Sequence, residues 1–459
     1  MRYVSRSLRY VYQAAKRLVR TSWEWQPRGT STSGPAHARA KGTTGLTGPA
    51  PPEKTTLGEV FAVAEFRALL LADVLSVAGD QIARLALSVT VFDRTGSPLL
   101  AAVTYAASII PTSAGGVLLA GLADRFPRRR VMIACDLIRA ALVLAMVVPG
   151  MPLLALVVLL AAVTFCDTPF MSARAAIYPE VLPGDRYVVG TAVTQTAALV
   201  AVVAASAAAG AIVALAGLGA SLLVDAASFT ASALIIWSAV KVRPAPPAVG
   251  PDRSMAGESA IRLVFGTPSL RLPLFLGCLG VFVAVPDALA APLARASGGG
   301  AIGSGLILAA SAAGAGAGTV AFSRLLPPTA RQAWVPLLAL ASSAVLIAAA
   351  GRPGLPVLLA IVLVSGICSC YQAPCNAAFV AAAPEGRRGQ VFGVARATIA
   401  LTQAAGMAIA GAAAVHFPPA VVVAGSGAVG VVLATGCLLA AGSRGRGVAA
   451  PVSGHRRGG

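Results

Sequence analysis

A chain of 459 residues with 57% hydrophobic and only 12% charged side chains is excluded from the soluble class, whose domains carry about 25% charged residues. Its mean hydropathy of +0.80 points to an integral membrane protein. The net charge of +19 is dispersed among segment ends rather than gathered on one face. That excludes a nucleic-acid surface and reads as orientation in a lipid bilayer.

In chain order, the first twenty residues, MRYVSRSLRYVYQAAKRLVR, repeat apolar positions at Val4, Leu8, Val11, Ala15 and Leu18 among six basic side chains. They suit either a basic helix lying on anionic lipid or a disordered tail. They are no secretory signal, because no continuous apolar core is present. Residues 26–56 form a Pro/Gly/Ser/Thr-rich linker that cannot bury a core. Residues 1–60 are therefore expected to be a basic cytoplasmic extension.

A spanning helix needs about 20 mainly apolar residues. Twelve such segments are predicted: 66–92, 98–122, 130–149, 152–174, 188–213, 218–240, 272–292, 301–323, 333–350, 354–378, 389–413 and 419–441. The predicted fold is an all-α integral membrane protein in two six-helix halves, 61–241 and 272–441. A Pro- and Gly-containing cytoplasmic loop, 242–271, connects them, and a basic cytoplasmic tail, 442–459, follows. Barrel strands would alternate in short segments instead.

One set of short loops holds Arg125, Arg128, Arg129, Arg130, Arg174, Arg186, Lys241, Arg243, Arg253, Arg262, Arg271, Arg324, Arg331, Arg387 and Arg388. The alternate set holds only Arg94, Arg295 and Arg352. Basic loops stay in the cytoplasm. Both termini are thus expected to be cytoplasmic, in a multi-pass protein of the cell membrane. All seven cysteines lie in apolar runs as small hydrophobes, and no metal site or disulfide framework is implied. The stretch AAGAGAGTV, 312–320, lacks the strand, the spacing and the Lys-Ser/Thr of a nucleotide loop. Its small residues should let helices approach closely.

Four stretches carry a resemblance: FRALLLADVLSVAGDQIARLALSVTVFDRTGSPLLAA (66–102), GLADRFPRRRVMIACDLIRA (121–140), LLVDAASFTASALI (222–235) and APEGRRGQVFG (383–393). Over about residues 60–441 the chain resembles a major facilitator superfamily transporter, and within it the bacterial drug- and siderophore-exporter branch. The superfamily's turn between helices 2 and 3 is similar to Leu122, Ala123, Asp124, Arg125, Arg128 and Arg129, with Ala120 and Pro127 standing where glycines are usual. Asp124 can pair with Arg or with a neighbouring helix N-terminus in one state and release it in the other, which would make Asp124, Arg125, Arg128 and Arg129 a gating latch. The other reading of the turn is orientation alone. The corresponding place in the second half has Ser323 instead of an acid, and helix 5 lacks the Gly-Pro element of many drug antiporters.

Six acids lie within apolar segments: Asp73, Asp80, Asp136, Asp167, Asp225 and Asp287. Each costs about 2.5–3.5 kcal/mol at the centre of a spanning helix, whereas a Leu or Val recovers about 0.3–0.6. Such acids are either members of a structural ion-pair network or sites for protons and substrate. Asp80 has Arg84 at i+4 as a candidate partner, and Asp136 shares a helix face with Arg139 at i+3. The predicted coupling and substrate pathway is Asp80, Gln81, Asp136, Arg139 and Asp167. Asp136 is expected to work against Arg139, and Asp80 to serve as substrate contact or second proton site. The resemblance and these acids imply a monomeric secondary transporter rather than an enzyme, with no cofactor, coupled to protons and exporting amphiphilic small molecules. Uptake of a nutrient, or a non-transporting sensor or scaffold on the same fold, are the alternatives.

Overall fold

The computed structural model describes residues 56–109, 111, 126–243, 260–384 and 387–447. The extension before residue 56, Asp124 and Arg125 of the predicted latch, residues 244–259 of the connector and the tail from 448 lie outside the described residues. Among the described residues there is no strand. Among the same residues nine helices are long and apolar enough to cross a membrane, by length and composition.

A short helix α1 (Leu57–Ala62) opens the described chain, with Thr56 and Glu59 forming a reciprocal capping box. Helix α2 (Ala64–Thr95) follows, and at 32 residues it is about 48 Å long, longer than the roughly 30 Å hydrocarbon layer. It stops where Gly96 takes φ 64°, and its N–H donates to the Phe92 carbonyl at 2.7 Å. The next residues restart the chain: the Ser97 hydroxyl caps the Leu100 N–H, and Pro98 opens helix α3 (Pro98–Ala106). Stop and start are thus both written in Gly-Ser-Pro. The second predicted segment begins with α3, and its residues 110 and 112–122 lie outside the described residues.

Helices α4 (Arg128–Met146) and α5 (Leu153–Val181) occupy the third and fourth predicted segments. Helix α5 runs further than the predicted 152–174, so Arg174 is a helical residue paired with Asp73 rather than a loop cation. Helix α6 (Asp185–Ala239) would be a 55-residue rod but for Gly217, whose φ of 73° and ψ of −170° only glycine adopts readily. The chain turns back there. Gly190 from the first arm lies against Phe66 and Leu182, and Ile236 from the second arm shares a buried cluster with those same two residues. The arms are the predicted segments 188–213 and 218–240.

Beyond a short helix α7 (Ala260–Gly266), the seventh segment is three pieces, α8 (Pro268–Cys278), α9 (Gly280–Ala288) and α10 (Ala290–Ala296), with Pro273 and Pro286 inside the run. Prolines remove backbone donors and break a continuous ladder. Then come α11 (Gly300–Leu325), α12 (Pro328–Ala344) continued by a 3-10 stretch Val345–Gly351, α13 (Leu355–Cys368) with α14 (Gln372–Ala382), α15 (Arg388–His416) and α16 (Pro419–Gly447). The described helices thus fill eleven predicted segments and begin the remaining one.

The small residues of α11 have the packing role the sequence suggests. A Cβ on Gly366 of α13 would lie 2.7 Å from the Ser311 carbonyl oxygen of α11, so these helices touch through their backbones. The same closeness joins α11 to α6, where a Cβ on Gly210 would lie 2.7 Å from the Ala301 carbonyl oxygen.

Among the described residues the two groups of helices, α2–α6 and α8–α16, are joined most broadly at one end, and α11 stays against α6 as far as Gly316, where a Cβ would meet the Leu199 side chain. A shared buried cluster joins Leu85, Val89, Ala102 and Ala209 to Leu289, Leu293, Ile307 and Met407. At that end Arg295 also pairs with Asp93 at 2.6 Å. Toward the other end, which carries Arg128, Arg186 and Arg243, the clusters divide. Phe66, Met132, Phe170 and Ile236 pack within the first group, and Val264, Leu274, Phe379 and Val391 pack within the second. Among the described residues a cleft between the groups therefore opens toward the basic end.

Candidate functional site

The site is assembled by helical periodicity. On α2, Ser76 and Asp80 stand four residues apart and so share a face; on α4, Asp136 and Arg139 stand three apart. On the second arm of α6, Asp225 and Phe229 repeat the four-residue spacing. Arg139 is the meeting point, with 0% of its surface exposed. Its Nη2 donates to Asp80 Oδ2 at 2.5 Å and its Nη1 donates to Ser76 Oγ at 3.1 Å. Nη1 also lies 3.4 Å from Asp167 Oδ1 and 3.7 Å from Asp136 Oδ1. The Phe229 ring covers the guanidinium, 4.0 Å from its centroid, which supplies a cation–π contact without adding another charge.

One buried cation thus faces three carboxylates from three helices. Their exposures differ in a way that matters. The Asp80 and Asp167 side chains retain 13% and 19% exposure, whereas Asp136 has none and neither of its oxygens has a hydrogen-bond partner. Asp225 adds a fourth carboxylate at the edge of the cluster, 1% exposed and also without a hydrogen-bond partner. A Cβ on Gly79 would lie 2.5 Å from its Oδ1, so that glycine lets α2 pass close to the acid.

The structure brings together Asp80, Asp136, Arg139 and Asp167, four of the five residues predicted for the pathway. Gln81, the fifth, points to the neighbouring arm of α6 and donates from Nε2 to Ser206 Oγ at 3.0 Å. Asp80 is paired with Arg139 of another helix, not with Arg84 of its own. Asp225 belongs to the cluster although its position near a segment end gives it little weight in the sequence. Its spacing to Phe229 was the available signal, and which way that face points is not written in α6.

At the basic end, Arg128 and Arg129 of the predicted latch bind helix ends. Arg129 donates to the Trp237 carbonyl in the last turn of α6 and, at 3.4 Å, to the Ile236 carbonyl, which also accepts from the Val240 N–H. Arg128 donates to the Ala176 carbonyl at 3.0 Å and pairs with Glu180. Glu180 also pairs with Arg243 at 3.2 Å, and Arg243 grips Glu65 through Nη1 at 2.5 Å and Nη2 at 3.0 Å. The Glu65 carboxylate bonded to it holds the Arg243 pKa above its ordinary value. This network ties the ends of α2, α4, α5 and α6 into one cap. Asp124 and Arg125 lie outside the described residues, so the acid of the latch is not part of this geometry.

Helices that cross an apolar layer, a cleft open at one end and a buried charge cluster beside it define a membrane transporter. Residues 69–350 match the family model of the Major Facilitator Superfamily, and the chain belongs to that superfamily. Among solved structures it is similar to the nucleoside transporter NupG, with a TM-score of 0.66 and 15% identity over 82% of this chain and 99% of that one. A POT family transporter crystallised with 5-aminolevulinic acid gives 0.67 and 12% identity over 85% and 98%. A bacterial homologue of the iron transporter ferroportin, solved in an inward-facing state, gives 0.63 and 16% identity over 85% and 100%. At these identities the likeness concerns the fold. No curated protein matches the chain.

Proposed function

We propose that this protein is a proton-coupled exporter of amphiphilic small molecules, working by alternating access in the cytoplasmic membrane with both termini in the cytoplasm. The observation that carries the reading is Arg139, fully buried and shared by carboxylates of α2, α4 and α5. Buried charges are retained when they are paired or when they work. Here Arg139 and the more distant Arg84 face the carboxylates of Asp80, Asp136, Asp167 and Asp225, so the anions outnumber the cations in a low-dielectric interior, and a proton that joins them and leaves again makes up the difference.

Asp80 makes the short bond to Arg139 and acts as its fixed partner. Asp136 and Asp167 are the surplus carboxylates, Asp167 reachable from the cleft and Asp136 buried behind it. A proton entering by Asp167 and passing to Asp136 releases Arg139 from the surplus acids. The guanidinium then belongs to Asp80 alone, and the packing of α2 against α4 and α5 changes with it. Positive-inside orientation places the open end of the cleft in the cytoplasm, where an exporter collects its cargo. The cap of Arg128, Arg129, Glu180 and Arg243 keeps the first group rigid as the groups rock around a midplane site.

Reconstituted protein in liposomes loaded with a pH-sensitive dye tests the reading. Addition of an amphiphilic probe such as ethidium should move protons in the direction opposite to the probe. Probe movement without protons would overturn the coupling. No movement of either would return the protein to a sensor or scaffold on a transporter fold.

A further inference from the structure

A second site lies across the cleft from Arg139. Between residues 272 and 441 the sequence holds only two acids, Asp287 and Glu385, and Asp287 alone sits within a predicted segment. Asp287 is on α9 and borders a cavity of about 260 Å³ that Thr319 of α11, Ser369, and Gln372 of α14 also line, with Val283 and Ala284 as apolar wall. No cation lines this cavity. Asp287 Oδ2 accepts a hydrogen bond from Ser311 Oγ at 3.3 Å, while Oδ1 is buried and has no hydrogen-bond partner among the described residues.

The hydroxyls around it are already committed as donors. Thr319 Oγ1 donates to the Ala315 carbonyl at 2.8 Å, and Ser369 Oγ donates to the Gly366 carbonyl at 2.7 Å. What they turn toward a ligand is lone pairs. Only Gln372 can offer N–H groups. A cavity with a carboxylate, two acceptor hydroxyls and no cation among its described lining residues rejects an anion, and it rewards a ligand that brings both charge and N–H donors.

We infer that this cavity binds the protonated amine head of the transported molecule, as a primary or secondary ammonium paired with the Asp287 carboxylate. This deepens the transport reading and rests on it. The volume lies just below the roughly 300–1,000 Å³ of whole ligand pockets, which fits a head group while the apolar remainder stays in the cleft. A quaternary ammonium has the charge but no N–H and leaves the acceptors of Asp287, Thr319 and Ser369 without donors.

Equilibrium calorimetry on the purified full-length protein tests this without any gradient. The probes are phenethylammonium, its N,N,N-trimethyl analogue, phenethyl alcohol and 3-phenylpropanoate. Phenethylammonium should bind about tenfold or more tighter than each of the others. Asp287→Asn should erase that preference and keep the fold, because the amide oxygen can still accept from Ser311. Thr319→Val should weaken the ammonium alone, and Ala373→Leu, at the cavity wall, should weaken every probe. Equal binding of the ammonium and the carboxylate, unchanged selectivity in Asp287→Asn, or no heat from any probe would overturn the inference. Ammonium binding that depends on Asp287, in a protein that moves neither probe nor protons in liposomes, sinks the transport reading and leaves the site. Coupled transport indifferent to Asp287 does the reverse.

Discussion

The two groups of helices share a fold and differ in what they bury. Helices α2–α6 enclose Asp73, Asp80, Asp136, Asp167 and Asp225 with Arg139 and Arg174, joined across helices by ion pairs. Helices α8–α16 bury almost no charge. They hold together through small residues at backbone contact, as between Gly366 and Ser311, and keep Asp287 beside an open cavity. Each spanning acid costs about as much as several apolar residues recover. The first group bears that cost five times, and a structural requirement of the fold cannot explain it, because the second group achieves the same architecture without it. The difference separates two tasks, a charge relay on one side and a ligand cradle on the other.

The comparison breaks most visibly at Arg139. Arg139→Gln leaves Asp80, Asp136 and Asp167 without their cation and should cost about 3–5 kcal/mol, the range for removing one partner of a buried pair. A fall in melting temperature and in membrane level measures it. Adding Asp80→Asn to the same chain should restore much of the loss, since the most tightly held anion goes with the cation. No rescue would mean that Arg139 is retained for its packing on Phe229.

The next effect concerns how the groups meet. Gly305→Val puts bulk where α11 and α6 touch, since even a Cβ there would come within 3.0 Å of Gly210 Cα. Overpacking of about 1–3 kcal/mol would fall only on the state in which these ends are closed. The cleft should then favour the opposite state, read as faster cysteine labelling beside Ala209 and slower labelling beside Phe66. Unchanged labelling would mean that this contact does not alternate.

Smaller effects lie outside the core. The Arg295–Asp93 pair is 64% and 47% exposed, so Asp93→Asn should change stability by less than about 1 kcal/mol. Smaller still is the cap on α1. The backbone and hydroxyl of Thr56 hold the Glu59 pKa below its ordinary value. A lowered folded-state pKa means that the stabilisation is present at neutral pH and is lost as acid protonates Glu59. Thr56→Ala should therefore speed hydrogen exchange in the first turn of α1 at neutral pH and do so less in acid, where only the bond from the Glu59 N–H to the hydroxyl remains to be lost.

Much of the architecture was legible because the bilayer leaves few choices. Segment length and the Gly-Ser-Pro stop at residues 96–98 are local signals, and most helices form close to where they place them, although α5 runs on to Val181 and the seventh segment is broken into three pieces. The charge cluster was legible in membership but not in pairing. A carboxyl at Asp80 selects Arg84 by spacing along one helix, whereas in the fold α2 turns that face toward α4 and Arg139. Which neighbour a helix face meets is settled by the packing of all the helices, and the i+4 rule is blind to it. Asp287 shows the same limit. Only the α9–α11–α14 arrangement reveals that Asp287 borders a cavity whose hydroxyls have already spent their donors.

Proton flux in proteoliposomes, compared between the wild type and Asp136→Asn, tests most directly whether the buried cluster drives transport. Asparagine keeps the shape of the side chain and cannot carry a proton in this role. The expected result is a correctly folded variant that still equilibrates an amphiphilic probe down its own gradient, but neither moves protons with the probe nor drives it uphill, with Asp136→Glu recovering part of the flux. Proton-coupled accumulation at the wild-type rate in Asp136→Asn, and again in Asp80→Asn, would contradict it and make the cluster around Arg139 a structural feature of the first six segments.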